Sequence, residues 1–421
     1  MSGTPGSGSG RRVIPILSAT PTASAATAHL PAQPALRVMP PLSLYLHVPW
    51  CVRKCPYCDF NSHEARGVLP EADYLAALVA DLEHSLPLIW GRRIVSVFIG
   101  GGTPSLISPA GLDELLTAIR TRTLLLPDAE ITLEANPGAV EADRFAGYRA
   151  AGVNRISLGI QSFNDGHLRA LGRIHTADEA RRAIEAAARH FDNFNLDLMY
   201  ALPVQSLAEA RHDLETAIGF APPHLSAYHL TLEPNTRFHH DPPPLPDPDA
   251  AADMQDMVEA TLGAAGYEHY ETSAFARPGR RCRHNLNYWT FGDYLGLGAG
   301  AHGKISFADR IVRQARLRHP EAYLAGVARQ QGVQSEHPVA VADLPFEFMM
   351  NALRLTEGVP LALFAERTGL LAGVLRNTLA GARRDGLLAG REDWLAPTEH
   401  GRRFLNDLLE RFLPDTPPAA V

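Results

Sequence analysis

Along the first two-thirds of the chain, short apolar runs alternate with longer segments whose apolar positions recur every three or four residues. The short runs predict strands at Leu42–Val48, Ile94–Ile99, Glu130–Ala135, Asn154–Ile160, Phe194–Tyr200 and His224–Leu232. The longer segments predict helices at Glu71–Leu86, Pro109–Thr121, Val140–Ala151, Ala177–His190 and Ser206–Gly219. The strands read as near-continuous apolar stretches, the pattern of a parallel sheet buried on both faces. Six β–α units in series predict an α/β fold, a (β/α)6 partial TIM barrel. A doubly wound open sheet has the same element order and remains the alternative.

Beyond about Asp241 the texture changes. Pro242-Pro243-Pro244 and Pro246 open a loop, and Asp249–Ala265 reads as a further helix. Residues 267–310 are rich in Tyr, Gly, His and Asn and read as an irregular segment over the barrel mouth. Helices follow at Leu344–Leu355, Pro360–Arg367 and Leu371–Asp385, then a short stretch Leu387–Leu395 and a helix Glu399–Phe412. That succession resembles a small, mainly α, winged-helix-like C-terminal domain. The expected division is a disordered tail over 1–40, a barrel over 41–270, a barrel-covering segment over 271–335 and the winged-helix-like domain over 336–415.

Composition narrows the class. The chain has 421 residues, 46% hydrophobic and 20% charged, with a net charge of −7. Such a balance fits a globular protein with an ample core and excludes a general nucleic-acid binder, which carries a basic surface. No apolar run has the length of a membrane-spanning helix. Arg11-Arg12 lies in a Gly/Ser- and Ala/Pro-rich stretch without an apolar core, a tail rather than an export signal. Four cysteines are too few for a disulfide framework, so the expected setting is the reducing cytoplasm.

Three of those cysteines carry the chemistry. Cys51, Cys55 and Cys58 stand in the spacing C-x3-C-x2-C just after the first strand. Three clustered thiolates can hold a [4Fe–4S] cluster and leave one iron open, since such clusters usually take four. A structural zinc site is the competing reading; it would need a fourth ligand such as Cys282, His47 or His63. Other polar residues also gather where strands end. Gly100-Gly101-Gly102-Thr103-Pro104-Ser105 follows the second strand, Glu134 and Asn136 end the third, Gln161 ends the fourth, and Asp197 lies in the fifth. Catalytic groups of barrel enzymes lie at those C-terminal ends. Glycines let a ligand approach the main chain, and the lack of a following Lys argues against a P-loop. Glu134 and Asp197 are candidate partners for ribose hydroxyls; Gln161 and Arg173 are candidates for a carboxylate.

The cysteine spacing, Tyr57 before the last cysteine and the glycine run together resemble the radical S-adenosylmethionine (SAM) superfamily. In that family three cysteines hold a [4Fe–4S] cluster, SAM chelates the open iron, and electron transfer cleaves its sulfonium to give a 5′-deoxyadenosyl radical. The resemblance implies cluster ligands at Cys51, Cys55 and Cys58, and cofactor contacts at Tyr45, Tyr57, Gly101, Gly102, Thr103, Glu134, Gln161, Arg173 and Asp197. Further segments are similar to the oxygen-independent coproporphyrinogen oxidase-like group: Leu42–Pro49, Glu134–Pro137, Gly159–Phe163, Asp197–Met199 and His284-Asn285-Leu286-Asn287-Tyr288-Trp289. Within that group they resemble the HemW-type haem chaperones, from about Pro41 to Pro414. The oxidases carry a fourth motif cysteine where this chain has Phe60, and the HNxxYW run, with His284, is the mark linked to haem. Imidazole is a common axial haem ligand, and Cys282 is a second candidate thiolate.

The resemblance therefore implies a haem chaperone with a [4Fe–4S] cluster, SAM and haem as cofactors. Its expected partners are apo-haemoproteins, respiratory cytochromes among them, an electron donor for the cluster and a second copy in a homodimer. Oxidative decarboxylation of coproporphyrinogen III to protoporphyrinogen IX is the alternative from a different class, set against by Phe60. A zinc-stabilised barrel without redox chemistry is the third reading.

Overall fold

The computed structural model describes residues 30–414 apart from 32 and 66, with the side chains of 139–141 also left out. Of the tail expected over 1–40, residues 1–29 and 32 lie outside the described residues. Six parallel strands carry the fold: β1 (Leu42–Val48), β2 (Arg93–Gly101), β3 (Leu124–Ala135), β4 (Arg155–Gln161), β5 (Phe194–Tyr200) and β6 (His224–His229). Between them run α1 (Glu71–Ser85), α2 (Pro109–Arg122), α3 (Ala139–Ala151), α4 (Ala177–His190) and α5 (Leu207–Gly219), and α6 (Pro248–Ala264) follows β6. The helix starts obey local chemistry. Ser108, Thr176, Ser206 and Asp247 each accept a backbone N–H of the first turn, and Thr176 and Ser206 form reciprocal capping boxes with Glu179 and Glu209.

The six strands lie side by side in chain order. A doubly wound sheet reverses direction at a switch point; here every crossover advances the same way, which selects the partial barrel. Neighbouring helices pack against one another, α1 on α2, α2 on α3 and α3 on α4, forming a layer outside the sheet.

The strands are not apolar on both faces, as the sequence reading had it. Leu42, Leu44, Leu46, Val97, Ile99, Ile131, Leu133, Ile156, Leu158, Leu196 and Leu225 face the helices and form the main core. The alternate residues form a polar column inside the barrel. In register they run Ser43–Ser96–Glu130 at one level and Tyr45–Phe98–Thr132–Arg155 at the next. Glu134–Ser157–Asn195–His224 continues the pairing across the remaining strands. The period-2 alternation is plain in Leu-Ser-Leu-Tyr-Leu-His-Val; large apolar residues on the outer face disguise it.

The segment after residue 267 is also more regular than expected. It supplies β7 (Glu268–Glu271), β8 (Ala274–Ala276), α7 (Arg283–Trp289), β9 (Asp293–Leu297), β10 (His302–Ser306), β11 (Ile311–Arg316), α8 (Pro320–Val327) and β12 (Val333–Pro338). The full sheet is β12-β11-β10-β9-β1-β2-β3-β4-β5-β6-β8-β7, with β9 parallel to β1. The seven-residue helix α7 does not cover the mouth. Its His284 reaches Ser96 and its preceding Cys282 reaches Glu130, so it closes the opposite, N-terminal end of the strands.

The C-terminal part has helices Leu344–Ala352, Leu361–Thr368 and Arg376–Arg384. Val359–Pro360 pairs antiparallel with Trp394–Leu395, and Leu388 bridges Pro397, which completes a small wing. Its core, with Phe348, Phe364, Leu379 and Leu395, is continuous with Tyr270, Ala274, Ala276 and Phe291 beneath the barrel. Residues 33–40, expected in the tail, are part of the fold. Leu36 is buried in this second core with its N–H on Ala308 O, and Pro40 O accepts Arg92 Nη2. An isolated Leu in a Pro/Ala-rich run carries no periodic signal, so only its packing partners place it.

Candidate functional site at the barrel mouth

At the C-terminal ends of the strands lies a cavity of about 440 Å³. Cys51, Cys55, Cys58, Tyr57, Gly101, Gly102, Thr103, Glu134, Gln161, Arg173 and Asp197 all line it. These residues come from five separate strand ends and the loops beyond them. Tyr45 and His284 are elsewhere. The Tyr45 hydroxyl bonds His47 Nδ1 at 2.9 Å and its ring stacks on Phe98, in the layer below the cavity. His284 lies deeper still, at the closed end.

The cysteine loop is braced against the glycine run by main-chain bonds. Gly102 N–H donates to Val48 O and Thr103 N–H to Trp50 O, each at 2.7 Å. Gly101 adopts φ +115°, and a Cβ on Gly102 would stand 2.5 Å from Trp50 O and 3.0 Å from Cys51 Sγ. Glycine is therefore required here by close approach as well as by backbone conformation. Behind the loop, Gly172 at φ +68° lets Pro56 pack at 2.7 Å from where its Cβ would be.

Arg173 ties three loops together. Its Nη1 donates to Cys55 Sγ at 3.7 Å and its Nη2 to Asn136 Oδ1 and Gly159 O at 2.7 and 2.8 Å. Asn136 Nδ2 in turn donates to Thr103 Oγ1 at 3.0 Å. Burial pushes the Cys51 and Cys58 thiols up; Cys55 raises both further, and Cys51 also raises Cys58. A thiol that resists ionisation becomes a good ligand once a cationic centre offsets its charge.

Two carboxyls share the floor. Glu134 Oε2 accepts the Gly101 N–H at 3.1 Å, and burial, then the Asp197 charge, push its pKa up to about 8. Asp197 is raised by burial and held by Ser157 Oγ at 3.0 Å and Asn195 Nδ2 at 2.8 Å. Glu134 therefore keeps its proton at neutral pH. Ser157, Asn195, Met199, Tyr228 and His229 were missed in the sequence. The inward half of the strand alternation would have found the first four; His229 gives no such signal.

Three thiols on one loop beside an open cavity are a soft donor set of the kind iron–sulfur clusters take. Among the described residues, no three His, Cys, Asp or Glu side chains converge on one point. The residues suggested to complete a zinc site are engaged elsewhere. Cys282 is at the closed end, His47 bonds Tyr45 and Asn61 O, and the His63 ring faces His319.

The chain has relatives in sequence and in fold. A family model of the radical SAM superfamily matches residues 45–217, and one of the HemN C-terminal domain matches 339–404. Heme chaperone HemW of Escherichia coli is 52% identical over 377 residues, which is 89% of this chain and 99% of that protein. The HemW of Haemophilus influenzae is 50% identical, over 89% and 98%. Among solved structures, coproporphyrinogen III oxidase (HemN) from Escherichia coli superposes with a TM-score of 0.76 at 25% identity, covering 89% of this chain and 90% of that one.

Proposed function

The chain belongs to the HemW family of the radical SAM superfamily, and from that premise we propose that it binds haem and passes it to apo-haemoproteins. Cys51, Cys55 and Cys58 would hold a [4Fe–4S] cluster in the mouth cavity, and Gly101, Gly102, Glu134 and Asp197, which line the same cavity, would hold SAM. A cluster with an open iron supplies a site that can bind the amino-acid end of SAM and deliver an electron to it. The observation that carries the reading is the gathering of three thiols, a Cβ-free glycine backbone and the Glu134–Asp197 pair around one cavity.

The chain's own residues divide the work. Gly101 and Gly102 allow main-chain approach, and Arg173 orients the cysteine loop through Cys55. Asp197, fixed by Ser157 and Asn195, accepts hydroxyl hydrogens of the ribose. Glu134 accepts the Gly101 N–H and keeps a proton at the floor. Tyr57 packs beside Phe238, whose N–H bonds Pro56 O, closing one side of the loop. His284 is the proposed imidazole for haem iron. Phe60 stands exposed at the rim, where the oxidase pattern has a thiol. We place the protein in the cytoplasm, working with an electron donor and as a homodimer.

Anaerobic reconstitution with iron and sulfide tests the cluster, and haem titration followed by the Soret band tests the cargo. The expected result is a brown protein that also binds haem and transfers it to an apo-cytochrome. Turnover of coproporphyrinogen to protoporphyrinogen by the reconstituted protein would replace the chaperone reading with the enzymatic one.

A further inference from the structure

The closed end of the barrel holds His284 in a defined hydrogen-bond polarity. Asn287, one turn further along α7, places its Nδ2 2.8 Å from Asp293 O and 2.9 Å from Ser43 Oγ. A carbonyl can only accept, so the amide nitrogen must face Asp293 O, and its second hydrogen goes to Ser43. Ser43 Oγ lies 2.7 Å from Ser96 Oγ, and Ser96 Oγ lies 3.0 Å from His284 Nδ1. Asn287 donates to Ser43, and Ser96 Oγ is the one acceptor left for the Ser43 hydroxyl among the described residues, so donation to Ser96 is what satisfies that hydrogen. For the Ser96 hydroxyl the one acceptor left is His284 Nδ1, so donation there satisfies the second hydrogen. The imidazole proton is left on Nε2, which is buried and meets no acceptor among the described residues.

An iron ligand needs a free lone pair, and a ligating imidazole normally donates its other N–H outward. The seated ring has the opposite polarity. Its faces and edges are also taken: Phe98 stacks on it at 4.8 Å and Tyr288 meets it edge-on at 4.8 Å. His284 itself is 1% exposed.

We propose that Asn287, Ser43 and Ser96 form a latch that keeps His284 in a haem-refusing tautomer while α7 is seated, so that haem ligation requires α7 to leave the barrel end. This rests on the reading of His284 as the haem ligand. On release the ring loses the Ser96 hydrogen; Nε2 gives its proton to water and Nδ1 takes one up, with no change of charge. Ser43, Ser96 and Asn287 are positioning residues in this scheme.

Histidine-selective 15N labelling of the full chain, with His284 assigned by its loss in His284→Ala, reads the tautomer directly. The expected spectrum has Nδ1 unprotonated and Nε2 protonated; an Nδ1–H form overturns the latch. Ser96→Ala is expected to mix the two tautomers and tighten haem binding about fivefold, the worth of one ordinary hydrogen bond. Ser96→Thr, which keeps the hydroxyl, should behave as the parent. Haem affinity unchanged or weakened in Ser96→Ala, with hydrogen exchange over 283–289 confirming a folded α7, also overturns it. Unaltered haem binding in His284→Ala instead removes the ligand reading itself, while the tautomer spectrum still judges the relay.

Discussion

The two ends of the barrel are built from the same strands and the same inward polar column, yet they do opposite things. At the mouth, Glu134, Ser157, Asp197 and Gln161 border an open cavity, and the cysteine loop adds three thiols on a turn braced by the glycine run and Arg173. At the other end Ser43, Ser96 and Glu130 are sealed beneath α7 and bond one another or α7 and its cap: Ser43 to Ser96 and Asn287, Ser96 to His284, and Glu130 to Cys282 and His284. Glu130 Oε1 takes both the Cys282 thiol at 3.4 Å and the His284 N–H at 3.1 Å. His224 bonds Asn195 Oδ1 and Tyr270 through its two ring nitrogens. The ionisation behaviour follows. Burial, then Arg155, lowers His284 to about 3, and burial pushes Cys282 up to about 12. A polar column is a binding site where the strands end in space, and a structural network where something plugs them.

The sharpest way to break this contrast is to exchange the roles of the thiols. Cys51→Ala should abolish the brown chromophore of reconstituted protein, whereas Cys282→Ala should keep it. Iron and sulfide content with visible absorption decides; dependence on Cys282 would place the cluster wrongly. Next, Glu130→Gln should cost about 3 kcal/mol in urea unfolding, because it removes one of the two carboxylates, Glu130 and Asp197, whose charge acts on the buried Arg155 guanidinium. Cluster content should be unchanged. If the cluster fails and stability does not, the two ends are not separable as described.

A smaller effect concerns the mouth. Glu134 is held above its unfolded pKa of 4.5, to about 8. Between those values the folded chain keeps a proton that the unfolded chain has released. Its contribution to stability is therefore complete below about pH 4.5 and is lost as pH rises through about 8. Urea midpoints across that window should decline with pH, and Glu134→Gln should remove that part of the slope. An identical slope in the variant would mean that other groups carry it. Smallest of all, Phe60→Ser at the exposed rim should shift stability by less than about 0.5 kcal/mol and leave cluster assembly intact. A large loss would show that the rim is part of the cavity's frame.

Much of the mouth was readable because its signals are local. The three cysteines lie within eight residues, the glycine run, Glu134 and Gln161 each sit at the end of a strand whose position was evident, and Asp197 lies within the next one. Local spacing survives folding, so these residues could be grouped before the fold was seen. The closed end was not readable in the same way. His284 meets Ser96 across 188 residues of sequence, and Cys282 meets Glu130 across 152. Nothing near Cys282 or His284 indicates which end of the barrel receives them. Tyr45, expected against the cofactor, bonds His47 and does not line the mouth cavity, a difference of depth along one strand that sequence does not display.

The chain's pattern alone determined that strands and helices alternate, where most of them lie and which thiols stand together. It did so because backbone propensity, capping and period are properties of neighbouring residues. Only tertiary structure decided that the strands lie in chain order as a partial barrel, that their polar face points inward, and that the histidine motif seals the floor. Those outcomes depend on which distant surfaces bury one another, and burial between segments leaves no mark on either segment read singly.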